Sequence, residues 1–155
     1  MNNRFKKLLD ELEPSFQRMK AMKSVDITDL PKDIPSTGIY ALFENGEPLY
    51  VGRSNRMRSR LQEHCRPSSN HNTAPFAFRL AREHTGNINP TYSSKGSRAM
   101  LEKDPAFKKS FDQAKKRVRA TKVKYVSEKD PLRQYLLETY IALSIKARHN
   151  DFDTH

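Results

Sequence analysis

Apolar residues near the N-terminus, Phe5, Leu8, Leu9, Leu12, Phe16 and Met19, recur at spacings of three and four, the stripe of an amphipathic helix. Pro14 falls inside that stripe and predicts a break into two helices, because proline suits a first turn and damages an interior. Residues 24–37, with Pro31, Pro35 and three Asp, predict a loop. The period then changes to two. Ile39–Phe43 and Leu49–Gly52 read as strands joined through Asn45-Gly46, the signal of a β-hairpin. Two registers compete. A two-residue turn pairs Tyr40 with Val51 and splits Tyr40 and Tyr50 between faces. A three-residue loop with a bulge at Gly46 pairs Phe43 with Glu47 and Tyr40 with Tyr50. The second gathers Ile39, Ala41, Phe43, Leu49 and Val51 on one face and both phenols on the other. Because a one-residue slip inverts every side chain, that cleaner register is the expected one.

Arg53-Ser54-Asn55 forms an N-cap region before "RMRSRLQEHCR", a helix with Met57, Leu61 and Cys65 on its inner stripe. Arg60 and His64 lie four apart and share a face of it. "APFAFRLARE" reads as a second helix and residues 85–97 as a loop. Asp104-Pro105 opens a helix with Phe107, Phe111, Ala114 and Val118 inward and Lys108, Lys109, Lys115, Lys116 and Arg117 outward. "RATKVKYVS" alternates as a strand, and Asp130-Pro131 opens the last helix, "LRQYLLETYIALSIKAR". The predicted class is α/β in the broad sense, α+β in arrangement: a small antiparallel sheet of about three strands, 38–43, 48–52 and 119–126, packed with helices.

Composition narrows the partner. The 155 residues suit one ordinary domain with a core of its own. Lys and Arg number 29 against 18 Asp and Glu, a formal charge of +11 that favours a polyanion. Nucleic acid comes first and an anionic membrane surface second. Cys65, the only cysteine, makes no internal disulfide, and no apolar run is long enough for a membrane span, so a soluble cytoplasmic protein with no membrane partner is expected.

Gly38-Ile39-Tyr40 is followed ten residues later by Tyr50-Val51-Gly52, and then by Arg60, His64 four residues on, Glu138 in the last helix, and Asn150 twelve residues beyond. This series resembles the GIY-YIG nuclease superfamily in residue types, order and setting, with Val51 in place of the usual Ile. The resemblance covers about residues 36–150. It implies an N-terminal helical arm at 1–35 and a nuclease-like domain at 36–155, in which 66–118 is a helical insertion longer than the family core needs. It further implies a divalent-metal-dependent endonuclease that cuts DNA, with RNA left open, acting as monomer or homodimer.

The residues suit that chemistry. Phosphodiester hydrolysis needs an activated water and cations around the phosphoryl oxygens. Glu138 offers a hard carboxylate for one Mg²⁺ or Mn²⁺. Arg60 can fork onto phosphate oxygens, with Arg53, Arg56 and Arg58 as further nucleic-acid contacts. Tyr40, Tyr50 and His64 compete for the base. The resemblance favours a tyrosine, here Tyr40 with Tyr50 positioning, whereas His64 titrates near neutrality unaided. Asn150 either holds a catalytic group or closes the site by bonding backbone. Each residue also has a plainer reading: Arg60 and His64 as a solvated helix stripe, Glu138 in a salt bridge with Arg60, and Asn150 as a helix cap. A non-catalytic nucleic-acid-binding module with the same fold is the alternative function.

Overall fold

In the computed structural model, the described residues are 1–87, 97–150 and 152; the loop expected at 85–97 falls largely outside them. The described residues contain helices α1 (Asn3–Asp10), α2 (Leu12–Ala21), α3 (Met57–Cys65), α4 (Pro75–Thr85), α5 (Arg98–Lys103), α6 (Pro105–Arg119) and α7 (Pro131–Ser144). The strands are β1 (Val25–Asp26), β2 (Gly38–Glu44), β3 (Glu47–Ser54) and β4 (Lys122–Ser127). All pairings are antiparallel in the order β1-β4-β2-β3, an α+β fold with β2 in the interior of the sheet. The N-terminal stripe breaks at Glu11, and Pro14 sits in the first turn of α2, as its missing N–H dictates. The two-residue β1, inside the expected loop, adds a fourth strand.

The chain forms two compact units, one of residues 1–59 and 121–152 and the other of residues 60–120, with the boundary inside α3. In the first, Ile39, Ala41, Val51 and Val126 meet Leu12, Phe16 and Met19 of α2 and Leu137, Ile141 and Ala142 of α7 in one buried cluster. The second is built on α4 and α6, whose aromatic contacts centre on Phe78, 5.0 Å from Phe107 and 5.4 Å from Phe111 between ring centroids. Lys115 is buried there, its ammonium donating to the carbonyls of Pro67 and Ser69 and lying 4.3 Å from the Phe111 ring.

The hairpin register corrects the expected one. Glu44 faces Glu47 across a two-residue turn in which Asn45 and Gly46 have φ of 51° and 81°, the positive values a primed turn requires. A bulge then intervenes: Phe43 faces Pro48 but Leu42 faces Tyr50, leaving Leu49 as the extra residue. Beyond it Tyr40 faces Gly52, not Tyr50. The bulge restores the apolar alternation that a two-residue turn alone would have inverted, so the tyrosines share a face as diagonal neighbours.

The last helix ends at Ser144, short of the expected 148, because Lys146 turns left-handed at φ 54°. That turn sends the following residues back along β3, where Arg148 and His149 donate backbone N–H groups to the carbonyls of Pro48 and Leu49.

A Cβ on Gly38 would overlap the backbone carbonyl of Val126 on the neighbouring strand. Gly38→Ala should therefore destabilise the protein by on the order of 3 kcal/mol, read as a lower urea midpoint. An unchanged midpoint would contradict the β2–β4 pairing.

Candidate active site

Four consecutive residues of β3, Tyr50 to Arg53, collect most of the candidate groups of the first unit. Tyr40 reaches across from β2 so that its ring and hydroxyl lie over Gly52, in space that any Cβ there would occupy. Its ring centroid is 6.4 Å from that of Tyr50, the planes inclined at 48°. Tyr40 is 1% exposed, whereas Tyr50 is only partly buried. Tyr125 of β4 faces Tyr40 in register and adds a third phenol to this face, its pKa pushed up by burial and by Asp33 against an opposing effect of Arg58. The alternation of "KVKYV" contained that signal once its register to β2 was known.

Val51 is held by Asn150. The side-chain amide donates to the Val51 carbonyl at 2.8 Å and accepts from its N–H at 2.8 Å, as a neighbouring peptide would. Of the two roles weighed for Asn150, the structure contains the backbone-bonding one.

Arg53 faces Ile39 and so lies on the α7 side of the sheet, opposite to the phenols. Its Nε donates to Glu138 Oε2 at 2.8 Å, and its guanidinium carbon stacks 3.6 Å from the centroid of Tyr135. Tyr135 was not among the candidates, although it stands three residues before Glu138 and therefore on the same helical face. Burial pushes the Glu138 carboxyl above its ordinary range, and Arg53 opposes that shift by charge and hydrogen bond. The cationic partner of Glu138 is thus Arg53; Arg60 belongs to the second unit. Gln134, buried one turn earlier, donates to Asn55 Oδ1 and the Glu128 carbonyl, tying α7 to the chain beyond β3.

The remaining candidates are dispersed. Arg56 is exposed, while Arg58 is partly buried and donates to the carbonyls of Leu30 and Pro31. In the second unit, Arg60 donates to the Thr73 carbonyl at 2.9 Å and lies 3.4 Å from Glu63. His64 is fully buried with its ring 6.3 Å from that of Phe76. The expectation that His64 titrates near neutrality is overturned: burial, reinforced by Arg60 and opposed by Glu63, lowers its pKa to about 3. The imidazole is neutral at physiological pH. A cavity of about 430 Å³ lies elsewhere, lined by Glu11, Arg18, Glu128 and Arg133 among others, and Arg133 pairs there with both glutamates.

Glu138 is a single carboxylate with Oε2 engaged by Arg53, and no group of three or more His, Cys, Asp or Glu gathers among the described residues. That does not suit a cation caged by protein. It fits one such as Mg²⁺, which keeps several waters and takes few protein ligands.

No family model, curated protein or solved structure matches the chain. No helix among the described residues is long and apolar enough to cross a membrane.

Two titrations follow from these environments. Below about pH 6.5 the unfolded chain protonates His64 while the folded state refuses the proton until about pH 3. Stability is therefore complete above the unfolded value and falls with pH between the two, by up to about 1.4 kcal/mol per pH unit. Urea unfolding of wild type and His64→Met at several pH values should show the wild type losing ground as acidity rises; parallel curves would contradict a buried neutral imidazole. Arg53→Gln removes the group that opposes the upward shift of Glu138, so the carboxyl pKa should climb further in a carbon-detected NMR titration, and an unmoved value would deny the pair.

Proposed function

We propose that the protein is a divalent-metal-dependent endonuclease that hydrolyses DNA phosphodiester bonds, on a fold of GIY-YIG type. The observation that carries this reading is the adjacency along β3: Tyr40 over Gly52 from one face, Glu138 on Arg53 from the other and Asn150 on Val51 at the edge engage three successive residues. The two glycine-tyrosine tripeptides act as one interlocked unit, which accounts for their spacing better than two unrelated strand ends would.

Within this reading Glu138 is the residue that holds Mg²⁺ or Mn²⁺, and such an ion supplies positive charge at the phosphoryl oxygens. Arg53 balances the carboxylate before the ion binds and is placed to turn to a phosphate oxygen afterwards, a contact its planar fork favours. Tyr50, the more exposed phenol, lies on the opposite face of the sheet from Arg53 and Glu138 and supports the hairpin rather than the metal. Tyr40 is sealed from solvent at 1% exposure, so it orients β3 and its neighbouring phenol rather than serving as the base. His64, buried and neutral, serves the architecture of its helix. Arg60 belongs to the second unit, where it donates to the Thr73 carbonyl, and remains a candidate phosphate contact of that unit.

The non-catalytic alternative draws on the same ion pair, because Glu138 is already neutralised by Arg53. Plasmid and oligonucleotide DNA incubated with Mg²⁺, Mn²⁺ or EDTA separate the two. Wild type should cut only with metal, and Glu138→Ala should slow cutting by on the order of a hundredfold or more. Binding without cutting in every metal, or equal cutting by the variant, would establish the alternative.

A further inference from the structure

The excess charge is not spread evenly. Residues 60–120 carry 13 Lys and Arg against 5 Asp and Glu, a net +8 of the chain's +11. On α6, Phe107, Phe111, Ala114 and Val118 turn inward and are buried, as the helical period requires. The opposite arc, at 100° per residue, bears Lys108, Lys109, Lys116, Arg117 and Arg119. From Lys108 to Arg119 it runs about 16 Å along the axis. The one acid on this helix, Asp112, is occupied by Lys108 at 3.0 Å and Lys115 at 3.4 Å. Lys109, Lys116 and Arg119 are exposed and make no ion pair among the described residues.

We infer that the 60–120 unit is a nucleic-acid-docking module, and that the outer arc of α6, centred on Lys109, Lys116 and Arg119, lies against the phosphate backbone of duplex DNA. The partner rests on the function proposed above; the module is a distinct element of it, separable from cutting. Unopposed cations along one straight face match a polyanion of closely spaced charges. A membrane surface fits less well, because an interfacial helix needs an apolar face free to enter the lipid, and the apolar face of α6 is already buried in its own unit. Two of the arc's three central cations are lysines, flexible point charges suited to phosphate oxygens. Its contacts are therefore of the positioning kind, indifferent to sequence.

The test is anisotropy of a short fluorescent duplex titrated with full-length protein in EDTA, so that cutting plays no part. The Lys109→Gln, Lys116→Gln, Arg119→Gln triple should weaken binding about tenfold or more at 0.1 M salt. It should also reduce the slope of log affinity against log salt by about one to three. A triple of equal charge change in the first unit, Lys6→Gln, Lys7→Gln and Lys23→Gln, should do much less. The charge-keeping triple Lys109→Arg, Lys116→Arg, Arg119→Lys should bind like wild type, which guards against a folding artefact, and because binding is read in EDTA these outcomes hold whether or not wild type cuts. Equal losses from both neutralised triples, undiminished binding by the α6 triple, or tighter binding to anionic lipid vesicles than to the duplex would each overturn the inference.

Discussion

The close approach of Tyr40 to Gly52 is the constraint around which the first unit is arranged. An aromatic ring laid across the edge strand leaves no volume for a side chain beneath it, and so it admits a single alignment of β2 with β3. A slip of β3 by one residue would bring Val51 or Arg53 under the ring and would turn Val51 away from the cluster with α2 and α7. The same alignment presents the outward N–H and C=O of Val51 to Asn150 and points Arg53 at Glu138. Packing, register and the placing of charged groups thus share one origin, a phenol filling the room of a missing side chain.

Much of this was legible along the chain. Helix starts at Asp104-Pro105 and Asp130-Pro131 carry their own capping chemistry, and in both the aspartate accepts a backbone N–H in the first turn. The strands of the hairpin and the inner stripes of α3 and α6 follow from period alone. The alignment of the hairpin did not, because two local features act together: the Asn45-Gly46 turn selects one pairing and the bulge at Leu49 reverses its effect on facing. A uniform register contains neither. The outcome for facing was nevertheless anticipated, since burial of an apolar set decides it whatever route the backbone takes.

The charged residues were less readable for a different reason. Sequence spacing tells which groups share a helix face, as with Arg60 and His64, but not how deeply that face lies. His64 sits on the inner boundary, where loss of hydration outweighs everything else acting on its ring. Glu138 had a visible need for a cation, being flanked by Ile141 and Ala142, yet its partner came from the residue after Gly52, not from the next helix. Such a pairing depends on where a strand ends relative to a distant helix, a long-range fact that no local pattern encodes. Tyr125 and Tyr135 belong to the same category: each acquires its place only through tertiary contact.

The path of the chain after α7 bears on how copies of the molecule meet. A sheet normally ends in a row of open donors and acceptors that invites another strand, and here both margins are blunted. On one side β1 is only two residues long. On the other, the segment from Arg148 to Asn150 already occupies the outer rim of β3 at Pro48, Leu49 and Val51. Templated strand addition along that rim, the usual route to fibrous association, would first have to strip the tail away. These margins thus disfavour association strand to strand, and leave it to side chains on other surfaces.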